Sequence, residues 1–336
     1  MQQALLQPDN RSDRRCLFRY FCKYRMLCRQ DTSGLSSEYS PEADGSRSCY
    51  GRKRDDILRQ RSYTYMNPPA VRYITANGIT IAYQQSGSDG PPLILINGFA
   101  STMDTWNPPF LEPLAQRFRI IVFDNRGTGY TSAGEIPFSL PLFAQDTLAL
   151  MDALGISRAH ILGLSMGASI AQELVLAHPG RVDRLVLISG TCGGEHMVMM
   201  QPEIWARLSD KSGTGVDVAD RMFSVLFPKN WLASHDPWQH CPDVRETTPE
   251  HMAAQQAEAL FRWPGSFDRL PAIRCPVLVV TGAEDVVIPP QNSRILADRI
   301  TGSRLVEFPG AGHGLQYQCP RELAGAVLAF LTAVRE

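Results

Sequence analysis

The sequence predicts an α/β fold: a mostly parallel, eight-stranded sheet flanked by helices, with an all-helical insertion between two of its strands. Three observations predict it. From Met66 onward, short β-branched runs alternate with helix-length amphipathic segments, the pattern of parallel strands joined by crossover helices and covered on both faces. Asn77-Gly78 stands between two apolar runs, so the sheet opens with a hairpin and an antiparallel pair. Residues 193–268 carry helix-like patterns alone, and such an insertion is expected to lie as a cap over the carboxyl edge of the sheet, where open α/β sheets bind ligands.

In chain order, residues 73–75 and 79–83 flank the hairpin turn, and residues 93–96 are a buried strand. A helix at 110–116 leads to a strand at 119–123, and a helix at 140–154 to a strand at 160–164. A helix over 166–177 then precedes a strand at 184–189. After the insertion, rich in Met, Trp and Phe, come a strand at 276–281, a helix at 291–300, a strand at 304–308 and a closing helix at 321–334. The core thus divides into 66–192 and 269–336, on either side of the cap at 193–268.

Composition excludes several classes. The chain has 336 residues, with 33 basic and 34 acidic side chains, so it lacks the net positive charge by which nucleic-acid binders attract phosphate. Its apolar runs are strand-length, well short of the ~18 residues a membrane-spanning helix needs. Eight cysteines in this length are too dilute for a disulfide scaffold and read as free thiols in the cytoplasm. Neither Cys16, Cys22 and Cys28 nor His235, His240 and Cys241 have the spacing of a metal site, and Asp236-Pro237-Trp238 within the second group reads as a turn.

Residues 1–65 differ from the rest. They carry a net charge of +5 and a Ser/Gly/Asp/Pro-rich middle, features of chain that cannot bury a core, and are expected to be a disordered extension. Residues 16–28 interleave aromatic and basic side chains, as a basic amphipathic helix touching a membrane surface would. The alternative is that Met66 is the true start.

The chemistry centres on Gly163-Leu164-Ser165-Met166-Gly167, where a buried strand meets a helix. A nucleophile on so sharp a turn is held in a strained backbone that exposes its oxygen. The flanking glycines are a steric necessity, and the helix N-terminus offers free N–H groups to a developing negative charge. A serine hydroxyl needs a base to take its proton, and the base needs a carboxylate to hold its tautomer. Asp285 and His313 each follow a later strand, in the order serine, acid, histidine. For the oxyanion, the backbone N–H of Met166 supplies one donor and that of Phe99, in the Asn97-Gly98-Phe99-Ala100 turn, the second.

On these motifs the chain from about residue 70 to its end resembles the α/β-hydrolase superfamily with a helical cap. Its Gly-Leu-Ser-Met-Gly elbow and its length from Met66 are similar to those of the serine hydrolase branch containing 3-oxoadipate enol-lactonase, related esterases and non-haem haloperoxidase-like hydrolases. Asp124-Asn125-Arg126-Gly127-Thr128-Gly129-Tyr130-Thr131-Ser132 resembles the family's Asp-x-Arg-Gly-x-Gly-x-Ser turn, with Thr131 or Ser132 in the serine position and Arg126 structural. Two residues depart from the family: Asn97 replaces a histidine before the oxyanion residue, and Ala168 replaces a second glycine after the elbow.

The resemblance implies acyl transfer. Relatives that open haloalkanes or epoxides use aspartate at the elbow, which Ser165 replaces. The expected function is hydrolysis of a carboxylic ester or lactone through an acyl-enzyme, with no metal or organic cofactor. The expected partner is a small apolar substrate, and a homo-oligomer is compatible with the sequence. Arg207, Arg221, Arg245 and Arg262 of the insertion could hold a carboxylated lactone or diketone. The alternatives are carbon–carbon cleavage of a diketone or peracid formation by the same residues, and a ligand-binding homologue without catalysis.

Overall fold

The computed structural model describes residues 69–334. The expectations for residues 1–65, and for Met66 as the start, lie outside the described residues. Arg72–Ala76 (β1) and Ile79–Gly87 (β2) pair antiparallel around Asn77 and Gly78. Both turn residues have positive φ, 48° and 73°, as a two-residue turn matched to strand twist requires. The remaining strands are Pro92–Ile96 (β3), Arg119–Phe123 (β4), Ala159–Leu164 (β5), Val182–Ile188 (β6), Val277–Gly282 (β7) and Arg304–Phe308 (β8). They complete an eight-stranded sheet of order β1-β2-β4-β3-β5-β6-β7-β8. Of these eight strands, β2 alone runs against the others.

Side chains alternate between the two faces of each strand. Ile94, Ile96, Ile121 and Ile161 pack under Leu140–Ala153 (α2) and Met166–Ala177 (α3). Leu93, Leu95, Ile120 and Leu162 pack on the opposite face, beneath Pro108–Ala115 (α1) and the closing helix. Burial on both faces explains why these strands read as continuous apolar runs. β6 begins at Val182, before the Arg184 start read from the sequence. The polar Asp183 and Arg184 mask it, although Arg184 is buried and its Nη1 donates to the Phe330 carbonyl at 2.8 Å.

Between β6 and β7 the chain folds as helices: Pro202–Ser209 (α4), Gly215–Leu226 (α5), Lys229–Leu232 (α6), Pro237–His240 (α7) and Glu250–Arg262 (α8). Thr214 and Asp217 open α5 with reciprocal side-chain to backbone hydrogen bonds. The segment read as a turn at Asp236-Pro237-Trp238 is the start of α7, because the Asp236 carboxylate accepts the Trp238 N–H at 3.1 Å and caps a helical turn. The ends of the insertion are tied together, with the Ser266 N–H donating to the Cys192 carbonyl at 2.7 Å. Glu173 of α3 accepts the Trp263 indole N–H at 2.7 Å and pairs with Arg269. Gln291–Arg299 (α9), Leu315–Gln318 (α10) and Pro320–Thr332 (α11) complete the chain. No helix among the described residues is long and apolar enough to cross a membrane.

The turn after β4 is stitched from within. The buried Arg126 guanidinium donates to both Asp146 oxygens, at 2.8 and 2.5 Å, and also to the Ala133 and Asn77 carbonyls. Both hydroxyls that competed for the serine position serve β2: Thr131 Oγ1 accepts the Ala82 N–H and Ser132 Oγ the Thr80 N–H, each at 2.9 Å. Arg126→Met would leave Asp146 an uncompensated buried charge, so urea denaturation is expected to give a loss of about 3–5 kcal/mol. A loss under about 1 kcal/mol, the size of an exposed ion pair, would show that the pair does not hold this turn.

Candidate active site

The chain reverses its direction of winding between β3 and β5, which lie side by side, and a crevice opens at such a switch point beyond the strand ends. Ser165 stands there, between β5 and α3. Its backbone takes φ 56°, ψ −116°, a region costing a non-glycine residue about 1–3 kcal/mol. The surroundings enforce it. The Ser165 N–H donates to the Ile188 carbonyl of β6 at 2.9 Å, and the Ser165 carbonyl accepts the Ala168 N–H at 2.9 Å. A methyl on Gly163 would strike the Gly167 carbonyl in α3, and one on Gly167 the Ile96 carbonyl in β3. Ala168 finds room against Gly190, where a methyl would be only 2.7 Å from its own.

Asp285 follows β7 and is buried. Its Oδ1 accepts the N–H groups of Val287 and Ile288, at 2.9 and 2.8 Å, so the carboxylate organises its own loop. Its Oδ2 lies 2.7 Å from His313 Nδ1. A carboxylate only accepts, so Nδ1 carries the proton and Nε2 presents a lone pair. That lone pair faces Ser165 Oγ at 3.2 Å. The three residues converge from 120 and 28 positions apart in sequence, and the array can draw the serine proton towards a base whose tautomer is already set.

The loop after β3 closes the other side, where a methyl on Gly98 would lie 3.3 Å from the Ser165 Cβ. Phe99 lies on this loop, and Met166 opens α3 directly after Ser165. Asn97 is buried, and its Nδ2 donates to the Phe123 carbonyl at 3.2 Å while its own carbonyl accepts Asn125 Nδ2 at 3.2 Å. This residue therefore ties the end of β3 to that of β4. The histidine loop is held from both flanks: the Gly312 N–H donates to Gln318 Oε1 at 2.7 Å and the Gly314 N–H to the Leu226 carbonyl at 2.9 Å.

The alpha/beta hydrolase family profile matches residues 93–326. The chain belongs to that family. Among relatives, the RutD protein of Caulobacter sp. (strain K31), provisionally named a carbamate hydrolase, is 32% identical over 251 residues, 73% of this chain and 92% of that one. The BpoC protein of Mycobacterium tuberculosis (strain ATCC 25618 / H37Rv), provisionally named a non-heme bromoperoxidase, is 31% identical over 274 residues, 76% of this chain and 99% of that one. Among solved structures, the enol-lactonase from Burkholderia xenovorans LB400 superposes with a TM-score of 0.67 at 27% identity, covering 78% of this chain and all of that one. The protein is thus a hydrolase of this family.

The family turn carries one unusual group. Asp124 accepts the N–H groups of Met103 and Tyr130, at 2.7 and 2.9 Å, yet burial pushes its carboxyl up from 3.8 to about 6. No group of three or more His, Cys, Asp or Glu among the described residues is placed to hold a metal ion. His235 instead stacks on Trp231, with ring centroids 4.6 Å apart. Side chains that brace the site from a distance, such as Gln318 and Thr248, left no mark in the sequence. Each acts through one backbone atom of a loop remote in sequence, and no motif records such a contact.

Because the folded state binds the Asp124 proton more tightly than the unfolded chain, stability from this group is full below pH 3.8 and lost as pH rises to about 6. The melting temperature of the native protein relative to Asp124→Asn is therefore expected to fall between pH 4 and pH 7, by the equivalent of about 3 kcal/mol. A difference that stays constant with pH would refute the assignment.

Proposed function

We propose that the protein is a serine hydrolase that cleaves a neutral carboxylic ester or lactone through an acyl-enzyme on Ser165. One observation carries the reading: the continuous hydrogen-bonded chain from Ser165 Oγ through His313 to Asp285, with the serine on a strained turn. In this mechanism Ser165 Oγ attacks the carbonyl carbon while His313 Nε2 takes its proton. The oxyanion is held by the N–H groups of Phe99 and Met166, each donor contributing about 3 kcal/mol to the transition state. His313 then protonates the leaving alkoxide, and Asp285 stabilises the imidazolium in between. Water repeats the sequence on the acyl-enzyme and releases the acid.

The helical insertion acts as the cap of this site, and its composition bears on substrate. Val287 and Ile288, just beyond Asp285, cluster with Val225, Met197, Met200 and Leu226 of the insertion, which favours an apolar acyl or alkoxy group. The arginines that could have held a carboxylate are engaged or outside: Arg221 pairs with Asp210, Arg245 with Asp104 and Arg262 with Glu258, while Arg207 is exposed. A neutral substrate therefore fits better than the carboxylated lactone or diketone. The 32% identical relative named for carbamate hydrolysis supports a second reading, attack on a carbamate carbonyl by the same serine. Cys192 and Cys319 are free thiols, which supports a reducing, cytoplasmic setting.

A fluorophosphonate probe is expected to label the protein at Ser165, and Ser165→Ala to abolish both labelling and hydrolysis of short nitrophenyl esters. Asp285→Asn is expected to lower kcat by about 10⁴ by releasing the wrong imidazole tautomer. Ester or lactone turnover that survives Ser165→Ala would refute the nucleophile. A panel in which only carbamates turn over would move the assignment to the second reading.

A further inference from the structure

The insertion does more than cover the crevice, because it holds the loop that carries the oxyanion donor. Ala100, one residue beyond Phe99, sits at φ 52°, a left-handed conformation unfavourable for alanine. Both of its backbone polar groups are held by side chains of the insertion. The Ala100 N–H donates to Gln256 Oε1 at 2.9 Å, and the Ala100 carbonyl accepts the Thr248 hydroxyl at 3.0 Å. Beside them, Thr102 Oγ1 donates to the Glu246 carbonyl at 3.3 Å, and Asp104 accepts the Arg245 N–H at 2.9 Å and its guanidinium Nε at 3.0 Å.

Gln256 is completely buried in α8. Its Oε1 must face Ala100, since an N–H needs an acceptor, and this orientation leaves Gln256 Nε2 without a partner among the described residues. A buried amide with one unmet donor is unfavourable compared with an apolar side chain of equal size. Its acceptor nonetheless fixes a specific atom. Holding the Ala100 N–H sets the plane of the peptide between Phe99 and Ala100, and holding the Ala100 carbonyl sets the plane of the next. Phe99 is therefore held on its C-terminal side, which restricts the direction of its own N–H, one peptide upstream.

We infer that Gln256 is a positioning residue for the oxyanion loop: through the Ala100 N–H it aims the Phe99 donor at the reacting carbonyl, so the oxyanion hole is complete only while the insertion is seated. The inference rests on the proposed role of Phe99 in a Ser165 hydrolase. It makes the insertion part of the rate-determining machinery, acting on the transition state more than on the bound substrate.

The test compares Gln256→Met, which keeps bulk and loses the acceptor, with Gln256→Glu, which keeps one. Steady-state kinetics on a nitrophenyl butyrate would be read beside the affinities of a butyl boronic acid, which forms a tetrahedral adduct on serine, and of butyramide, a planar ground-state analogue. For Gln256→Met, kcat is expected to fall about tenfold with KM within about twofold, a fraction of the effect of deleting an oxyanion donor outright. Boronate affinity should fall in parallel, butyramide affinity and the pH profile should hold, and Gln256→Glu should recover kcat to within about threefold. Unchanged kcat in Gln256→Met, or a loss of kcat without loss of boronate affinity, would overturn the inference.

Should Gln256→Met not fold, Thr248→Val frees the same peptide from its other side. A parallel loss of kcat and boronate affinity is then expected, and full activity would overturn the inference. Ser165→Ala separates the two levels. Turnover that survives it removes the underlying hydrolase reading, whereas an inactive Ser165→Ala beside a fully active Gln256→Met removes only the role of Gln256.

Discussion

The conformation of one residue organises this protein. Ser165 is forced into positive φ between a strand and a helix, and that state survives because β3, β5 and α3 meet around it too closely to allow another. Gly163 and Gly167 permit the approach, and the Ile188 carbonyl fixes the serine N–H from the next strand. Strain of this kind persists only where the surrounding structure over-determines it. Here an eight-stranded sheet, buried on both faces, supplies the rigidity.

Polar groups buried at the carboxyl edge of the sheet divide into those that hold loops and those that face the crevice. Asp285 does both, with one oxygen on the N–H groups of its own turn and the other on His313. Asp124 and the Arg126–Asp146 pair only hold, joining the turn after β4 to the first hairpin and to the loop after β3. Burial makes Asp124 harder to ionise than usual, and the two backbone N–H groups it accepts offset this only in part.

The insertion reaches both sides of the serine. The Leu226 carbonyl takes the Gly314 N–H beside His313, and Gln256 and Thr248 take both ends of Ala100 beside Phe99. Two loops that share no sequence neighbourhood thus share a brace. Its own anchorage runs through Glu173, on the helix that follows Ser165. The helical layer and the elbow are in this way parts of one mechanical unit.

Local patterns in the chain were enough for the strands from β3 to β8, the Asn77-Gly78 hairpin, the helix that begins at Met166, and the order of Ser165, Asp285 and His313, because periodicity and turn chemistry are short-range properties. Where polar residues masked a strand start, as at Asp183 and Arg184, or where a capping aspartate opened a single helical turn, as at Asp236, the same patterns misplaced an edge. Tertiary structure alone decided which carboxylate oxygen meets His313, that Thr131 and Ser132 both serve β2, that the insertion's arginines are engaged or exposed, and that Gln256 reaches Ala100 across 156 residues. Those are contacts of one atom with one remote backbone group, and nothing along the chain encodes them until folding brings the two together.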